Sequence, residues 1–407
     1  MRINPNITRL VCSYSGKDVD SAGFRSPIGL CRCCPPPGKP VVVEYDLEAA
    51  RAGWEARSVG AVPGLWRYAS LLPVLDVPSD YAPDVGATPS VRHDGLSREL
   101  GCEVWLKNEG GNPSGSFKDR GLAVGIALGA ASGAKRFCLP TQGNAGVAAC
   151  LFSRRLGLPG CVVYMPEAWR GSIYHRACEH FGGEVRFCGA NIAAAGKAMR
   201  DDLAGELASG AAVDLSTFFE PGRLEGKKTM GLEIAETFAG GPLPEYVVYP
   251  TGGGTGLVGI WKALLELVAM GVIDAGRMSL PRMVVVQSGA CAPVVESFRR
   301  GLAEVEPVVS QGTVADGLDV PGAIMGHGML SVLRESGGTA VAVSEAAIRD
   351  AFTRCGALGI ATGYEGAATL AAARELRESG TIPGGARVLL LLTASQLVAL
   401  ARGATAG

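Results

Sequence analysis

Charge is scarce in this chain. Charged residues make up 19 % of 407 positions, against roughly 25 % in an average globular protein. The 38 basic residues face 39 acidic ones. So even a balance excludes a surface built for bulk nucleic acid or an anionic membrane. Histidine is scarcer still, at His93, His175, His180 and His327. No two stand at a metal-ligand spacing, and no Ser-His-Asp arrangement can be assembled from them. Proton chemistry therefore falls to another base. Long apolar runs are also missing. Val388-Leu389-Leu390-Leu391-Leu392 falls far short of the roughly 18–20 residues of a membrane helix. Met1-Arg2-Ile3-Asn4-Pro5 opens no apolar signal segment. The expectation is a cytoplasmic protein with neither nucleic-acid nor membrane partners.

Apolar residues, at 47 %, and glycine, at 58 positions, are abundant. The glycine share is about twice the usual 7 % and has no period of three, which excludes collagen. Low charge with this much apolar surface excludes disorder over most of the length. Of twelve cysteines, Cys102, Cys138, Cys150, Cys161, Cys178, Cys188, Cys291 and Cys355 lie among apolar neighbours. They read as reduced, mostly buried thiols.

From about residue 100, short apolar strands alternate with Ala/Leu-rich helices. The expected strands are Glu103–Lys107, Arg136–Pro140, Cys161–Met165, Tyr246–Pro250, Met283–Gln287 and Arg387–Thr393. The expected helices include Leu122–Gly129, Ala145–Leu156, Thr229–Phe238, Leu257–Met270 and Gly366–Leu376. This alternation predicts an α/β architecture with mainly parallel sheets. In such sheets ligands bind where a strand's carboxyl end enters a helix.

Three glycine-bearing turns stand at such places. The first is Asn112-Pro113-Ser114-Gly115-Ser116-Phe117-Lys118-Asp119-Arg120-Gly121. It puts a lysine at a helix start, where the helix dipole disfavours a further cation. Such a lysine is a candidate Schiff-base nucleophile; a solvent-facing turn lysine is the competing reading. The second is Thr141-Gln142-Gly143-Asn144-Ala145-Gly146, either a ligand contact through Asn144 or an ordinary helix cap. The third is Thr251-Gly252-Gly253-Gly254-Thr255-Gly256, a backbone cradle for a phosphate. Gly254-Thr255-Gly256-Leu257-Val258-Gly259 also fits the dinucleotide pattern. The next strand, however, ends in Gln287 and not in the acidic residue that would hold a ribose. At the end of the last strand, Thr393 offers a hydroxyl to a heterocycle, and Ser395 caps a helix from Gln396.

The lysine turn resembles the lysine motif of the threonine synthase family, fold-type II (tryptophan-synthase-β-like) enzymes that use pyridoxal phosphate. Gly143-Asn144-Ala145-Gly146, Arg223-Leu224-Glu225-Gly226-Lys227-Lys228-Thr229, the Gly252–Gly256 loop and Thr393 are similar too, in the family's order, from about residue 85 onward. The resemblance implies two open, mainly parallel α/β domains with the cofactor in the cleft. The larger would be residues 46–130 with 236–407, and the smaller 131–235. It implies that Lys118 forms the Schiff base and moves protons, that Phe117 neighbours the ring, and that Asn144 bonds the ring's phenolic oxygen. Gly252, Gly253, Gly254, Thr255 and Gly256 would bind the cofactor phosphate, and Thr393 would face the pyridine nitrogen. A homodimer acting on a small amino-acid substrate is expected by analogy.

The substrate side departs from that pattern. Thr141 keeps one hydroxyl before the Gly-Asn pair, and Gln142 replaces the other. Arg223 stands where the family's arginine holds substrate phosphate, but the stretch ahead of it reads Ser216-Thr217-Phe218-Phe219. Ala394 and Gln396-Leu397-Val398 replace the usual residues after Thr393. O-Phosphohomoserine is the expected substrate, with phosphate leaving and water adding. The alternatives are replacement on O-phosphoserine, as in cysteate synthase, and a threonine or serine ammonia-lyase. A cofactor-binding regulatory paralogue is the non-enzymatic alternative, against which Lys118, Asn144 and Thr393 together argue.

Residues 1–45 form a separate lobe in this reading. Two C-x-x-C pairs would make a zinc ribbon. The first pair here is Cys12-Ser13-Tyr14-Ser15, with serine in the second ligand position. In Cys31-Arg32-Cys33-Cys34, the outer two keep the spacing and Cys33 is extra. Cys12, Cys31 and Cys34 supply three sulfurs where a closed site takes four. A degenerate ribbon without metal is expected.

Overall fold

The computed structural model describes residues 1–20, 29–56 and 62–403. The chain packs as two units. One comprises Met1–Ala87, Asn112–Ser114 and Lys118–Thr229; the other comprises Thr88–Gly111, Gly115–Phe117 and Met230–Gly407.

The first unit holds a four-stranded sheet in the order Glu184–Phe187, Val162–Met165, Arg136–Pro140, Ala212–Asp214. All its neighbours run parallel. Cys138, Val162 and Tyr164 pack on one face against Ala195, Met199 and Leu203. The helix Lys118–Ala131 is buried from Asp119 to Gly129. It has little amphipathic character because apolar or small residues surround it. Its glycines let the helix Gly222–Thr237 come close. A Cβ on Gly226 would sit 2.0 Å from the Arg120 carbonyl oxygen, and one on Gly121 would sit 2.9 Å from that of Arg223. That second helix starts seven residues before the expected Thr229. The Glu220 carboxylate accepts the Gly222 and Arg223 amides at 2.6 and 2.9 Å, so an acidic cap supplies the start that apolar periodicity did not mark. Still within this unit, Ile7–Cys12 pairs antiparallel with both Asp18–Asp20 and Val41–Tyr45 in a small three-stranded sheet.

The second unit is built on a six-stranded sheet. Its order is Thr339–Val343, Arg282–Ser288, Tyr246–Pro250, Arg387–Leu392, Glu103–Asn108, Ser90–Arg92. Every pair is parallel except the last. Val247, Val248, Leu389, Leu390 and Leu391 are wholly buried, as expected of strands covered on both faces. The helix Tyr364–Glu378 lays Ala367, Ala368, Ala371 and Ala372 into the same core as Val248, Val388 and Leu390. Alanine allows helix and sheet to approach closely. Tyr246–Pro250, Arg387–Leu392 and Glu103–Asn108 are adjacent and parallel, so their carboxyl ends share one edge of the sheet. The glycine turn, Thr393 and the lysine turn all leave from that edge. Among the described residues no helix is long and apolar enough to cross a membrane.

Candidate active site

In the second unit, the segment just before Lys118 is stitched to the end of the last strand. The Phe117 amide donates to the Thr393 carbonyl at 3.0 Å, and the Ser395 amide donates to the Gly115 carbonyl at 2.8 Å. Ser116 and Ala394 form an antiparallel bridge between them. Gly115 makes the turn with φ at +79°, a left-handed conformation that side chains resist. Thr393 is 3 % exposed. The Ser395 hydroxyl accepts the Leu397 amide at 3.3 Å, so Ser395 caps the final helix as expected.

The Phe117 ring meets Tyr249 edge-on, with centroids 6.3 Å apart. Tyr249 lies on the strand leading into the glycine turn. Burial pushes its hydroxyl pKa well up, a nearby Glu109 adds to this, and the Gly256 amide hydrogen-bonds the oxygen in partial compensation. A Cβ on Gly256 would stand 2.0 Å from Tyr249 Oη, and one on Gly252 would stand 2.2 Å from the Gly317 carbonyl. The turn is therefore pressed against its neighbours with no room for side chains. Gly254 occupies the cap of the helix Thr255–Ala269 at φ +79°, with no side-chain cap bond. The first amides of a helix have no partner within it, so this entrance suits an anion. Gln287 is buried and spent on structure. Its amide oxygen accepts the Val294 and Val295 amides at 2.9 and 3.2 Å, and its nitrogen donates to the Thr251 carbonyl at 3.3 Å. Gln287 is therefore not left to hold a ribose.

One group was not visible as a unit in the sequence. Lys107 is fully buried at the end of its strand. Its ammonium lies 2.8 Å from Glu233 and 3.8 Å from Glu109, and donates to the Thr88 carbonyl at 3.1 Å. The Thr88 hydroxyl donates to Glu109 at 2.6 Å. This network braces the root of the lysine turn. Its members are up to 145 residues apart along the chain, so no local pattern announces it.

In the first unit, Lys118 opens the helix Lys118–Ala131 and is half-buried. Beside it, Asp119 accepts the Ser114 amide at 2.6 Å and the Ser114 hydroxyl. Burial drives the Asp119 carboxyl up to about 7 against those bonds. Asn144 begins the helix Asn144–Arg155 and is half-buried. The Thr141 hydroxyl accepts the amides of Gly143 and Gly146 at 3.1 and 3.2 Å, so it shapes the turn before Asn144. Gln142 is half-buried in that turn. Arg223 is 2 % exposed. Its Nη1 donates to the Leu215 carbonyl, while its Nε–H has no acceptor among the described residues. Burial draws the guanidinium pKa down, and Glu220 and Asp214 counter it.

Seven of the eight scattered cysteines are buried and Cys188 is half-buried; all are free thiols. At the other end of the chain, the structure places Cys33 with Cys12, Cys31 and Cys34, one sulfur more than the sequence reading counted.

Comparison with known proteins is consistent with this geometry. A protein family described as pyridoxal-phosphate dependent enzyme matches residues 81–394. The threonine synthase of Methanosarcina acetivorans is 31 % identical over 358 residues, covering 86 % of this chain and 84 % of that protein. The threonine synthase of Methanocaldococcus jannaschii is 30 % identical over 334 residues, covering 81 % and 79 %. Among solved structures, maize serine racemase aligns with a TM-score of 0.65 at 21 % identity, over 81 % of this chain and 94 % of that one. O-Ureido-L-serine synthase aligns at 0.62 and 24 %, over 80 % and 94 %. At such identities the structural likeness establishes the fold, and the sequence matches establish the kinship. The chain belongs to the pyridoxal-phosphate dependent enzyme family.

Proposed function

We propose that this enzyme is a carbon–oxygen lyase of the threonine-synthase type, which releases phosphate from O-phosphohomoserine and adds water. The reading rests first on the likeness to threonine synthases. Among the structural features, the orphaned Arg223 Nε–H carries it. A buried guanidinium donor without an acceptor is costly, and a substrate phosphate would satisfy it. Threonine carries a carboxylate, which Thr141 and Gln142 would orient, but no second anion for Arg223, which favours a phosphorylated substrate over the ammonia-lyase reading.

The residues fit pyridoxal phosphate. The helix entrance at Gly254 has no side-chain cap, which leaves the amides of Gly252, Gly253, Gly254 and Thr255 to a phosphate, with Gly256, whose amide is bonded to Tyr249, holding the turn in place. Phe117 would flank the ring and Asn144 would bond its phenolic oxygen. Thr393 would meet the ring nitrogen as a neutral hydroxyl. When bound, this cofactor supplies a conjugated ring that withdraws electrons from the Cα of an amino acid joined to it. Lys118 would hold the cofactor through its Nζ and, once released, take the Cα proton. A helix start disfavours its charged form and keeps the amine available as a base. Thr141 and Gln142 would orient the substrate carboxylate, and Arg223 would hold the substrate phosphate. With four histidines in the chain and the neighbouring Asp119 carboxyl bonded to Ser114, Lys118 would carry most of the acid–base work. We assign the enzyme to the cytoplasm as a homodimer; its reduced thiols fit that compartment.

A substrate panel tests the reading. Phosphate release is followed from O-phosphohomoserine and from O-phosphoserine with and without sulfite, and keto acid is followed from threonine. The proposal expects O-phosphohomoserine to be turned over at least tenfold faster than the others. Keto acid from threonine, without phosphate release from either phosphorylated compound, would overturn it.

A further inference from the structure

The N-terminal sheet brings two tight turns to one end. Cys12 closes the strand Ile7–Cys12 and sits opposite Val41 of the strand Val41–Tyr45. The Cys12 amide donates to the Lys17 carbonyl at 2.9 Å, and the Gly16 amide returns to the Cys12 carbonyl at 2.9 Å, which makes the first turn. The second turn runs from Cys31 to Lys39. The Cys31 amide donates to the Lys39 carbonyl at 2.8 Å, and the Lys39 amide donates to Cys31 Sγ at 3.3 Å. Gly38 must be glycine here, because its φ is +92° and a Cβ would lie 2.1 Å from the Cys31 carbonyl oxygen. The Ser13 amide, donating to the Pro40 carbonyl at 2.9 Å, ties the two turns together.

Four sulfurs converge between these turns. Those of Cys12, Cys31, Cys33 and Cys34 all lie within 4.8 Å of one another, and Cys12 and Cys34 are 3.6 Å apart. A disulfide needs about 2.0 Å. Four thiolates at about 2.3 Å from one zinc ion stand roughly 3.8 Å apart at the corners of a tetrahedron. The spacing therefore matches a metal site and not a disulfide. The Lys39 amide points at the sulfur of Cys31. Donors of this kind orient and stabilise thiolate ligands.

We infer that Cys12, Cys31, Cys33 and Cys34 bind one zinc ion in a closed four-sulfur structural site, with Cys33 taking the place left by Ser15. Ser15 Oγ lies 3.6 Å from Cys33 Sγ, so a side chain at position 15 reaches the corner that Cys33 fills. The repeated C-x-x-C spacing is broken in the sequence, and the set is completed in space by the neighbouring turn. A site with four protein ligands leaves no open position for substrate, so its role is to hold the two turns together. This assignment is independent of the proposed reaction.

The full-length protein, purified under reducing conditions without added metal, provides the test. Elemental analysis is expected to find zinc at about one ion per chain. Exchange with cobalt(II) is expected to give the absorption of a tetrahedral thiolate complex. Cys33→Ser should weaken zinc binding by about 10–100-fold, and adding Ser15→Cys to it should restore most of the affinity. That rescue separates loss of a ligand from loss of fold. Metal-free, fully reduced protein that gives no cobalt complex would overturn the inference. So would iron as the bound metal, a Cys12–Cys34 disulfide in fresh protein, or wild-type affinity in Cys33→Ser.

Discussion

The amide of Phe117 donates to the carbonyl of Thr393 at 3.0 Å. This bond joins the residue before the lysine to the end of the last strand, 276 positions further along the chain. It sets where the main chain hands over to Lys118, so a local lysine motif takes its position from a distant strand.

Lys118→Ala should abolish the absorbance band that belongs to cofactor joined to the lysine and reduce turnover by about 10²–10⁴-fold, the usual contribution of a positioned proton-transfer group. The melting temperature should change little, because Lys118 is half-buried at a helix start. Spectrophotometry of the purified variant with added cofactor is the check, and a retained wild-type band would remove Lys118 from its assigned role.

Gly256→Ala places a methyl group 2.0 Å from Tyr249 Oη and 2.6 Å from Cζ. Overpacking of this kind costs about 1–3 kcal/mol. Cofactor affinity should fall as well, because the displaced turn carries the proposed phosphate amides. Adding Tyr249→Phe removes the nearest atom and should recover part of both losses. Urea unfolding and cofactor titration measure the two effects separately.

Lys107→Met leaves Glu233 and Glu109 buried without their cation. Breaking a buried ion pair from one side costs about 3–5 kcal/mol. The double variant Lys107→Met/Glu233→Leu should be more stable than Lys107→Met alone, since one buried carboxylate fewer is left facing the lost cation. A double-mutant cycle in urea measures the coupling.

Asp119 predicts a pH effect of definite sign. Burial raises its carboxyl from the ordinary 3.8 to about 7 in the fold. Between those values the folded protein holds a proton that the unfolded chain has lost. Folding stability from this group is therefore highest at low pH and falls as pH rises toward about 7. Asp119→Asn keeps an oxygen to accept the Ser114 amide and carries no charge. It should gain stability relative to the wild type on going from pH 5 to pH 8. Melting curves of the two proteins across that range decide it; a constant difference contradicts the assignment.

Much of the architecture was legible because burial on both faces leaves an apolar stamp. The strands Arg136–Pro140 and Tyr246–Pro250 were read with the bounds they have. The turns carrying Lys118, Asn144 and the Gly252–Gly256 loop could be read because small residues, glycine and polar residues interrupt that pattern at strand ends. Three features escaped for physical reasons. The helix at Gly222 starts on a Glu220 cap and packs through glycines, so it carries no apolar stripe where it begins. The Lys107 network joins residues far apart in the chain. Cys33 enters the sulfur cluster through the path of a turn and not through a repeated spacing.

Lys118 is proposed to carry the phosphate-releasing reaction of a pyridoxal-phosphate dependent enzyme. The most direct measurement is the product balance of the cofactor-loaded protein with O-phosphohomoserine, with Lys118→Ala in parallel. The expected result is threonine and phosphate in equal amounts from the wild type and about 10²–10⁴-fold slower formation of both by the variant. Phosphate-free turnover, or threonine formed at the wild-type rate by Lys118→Ala, would contradict it.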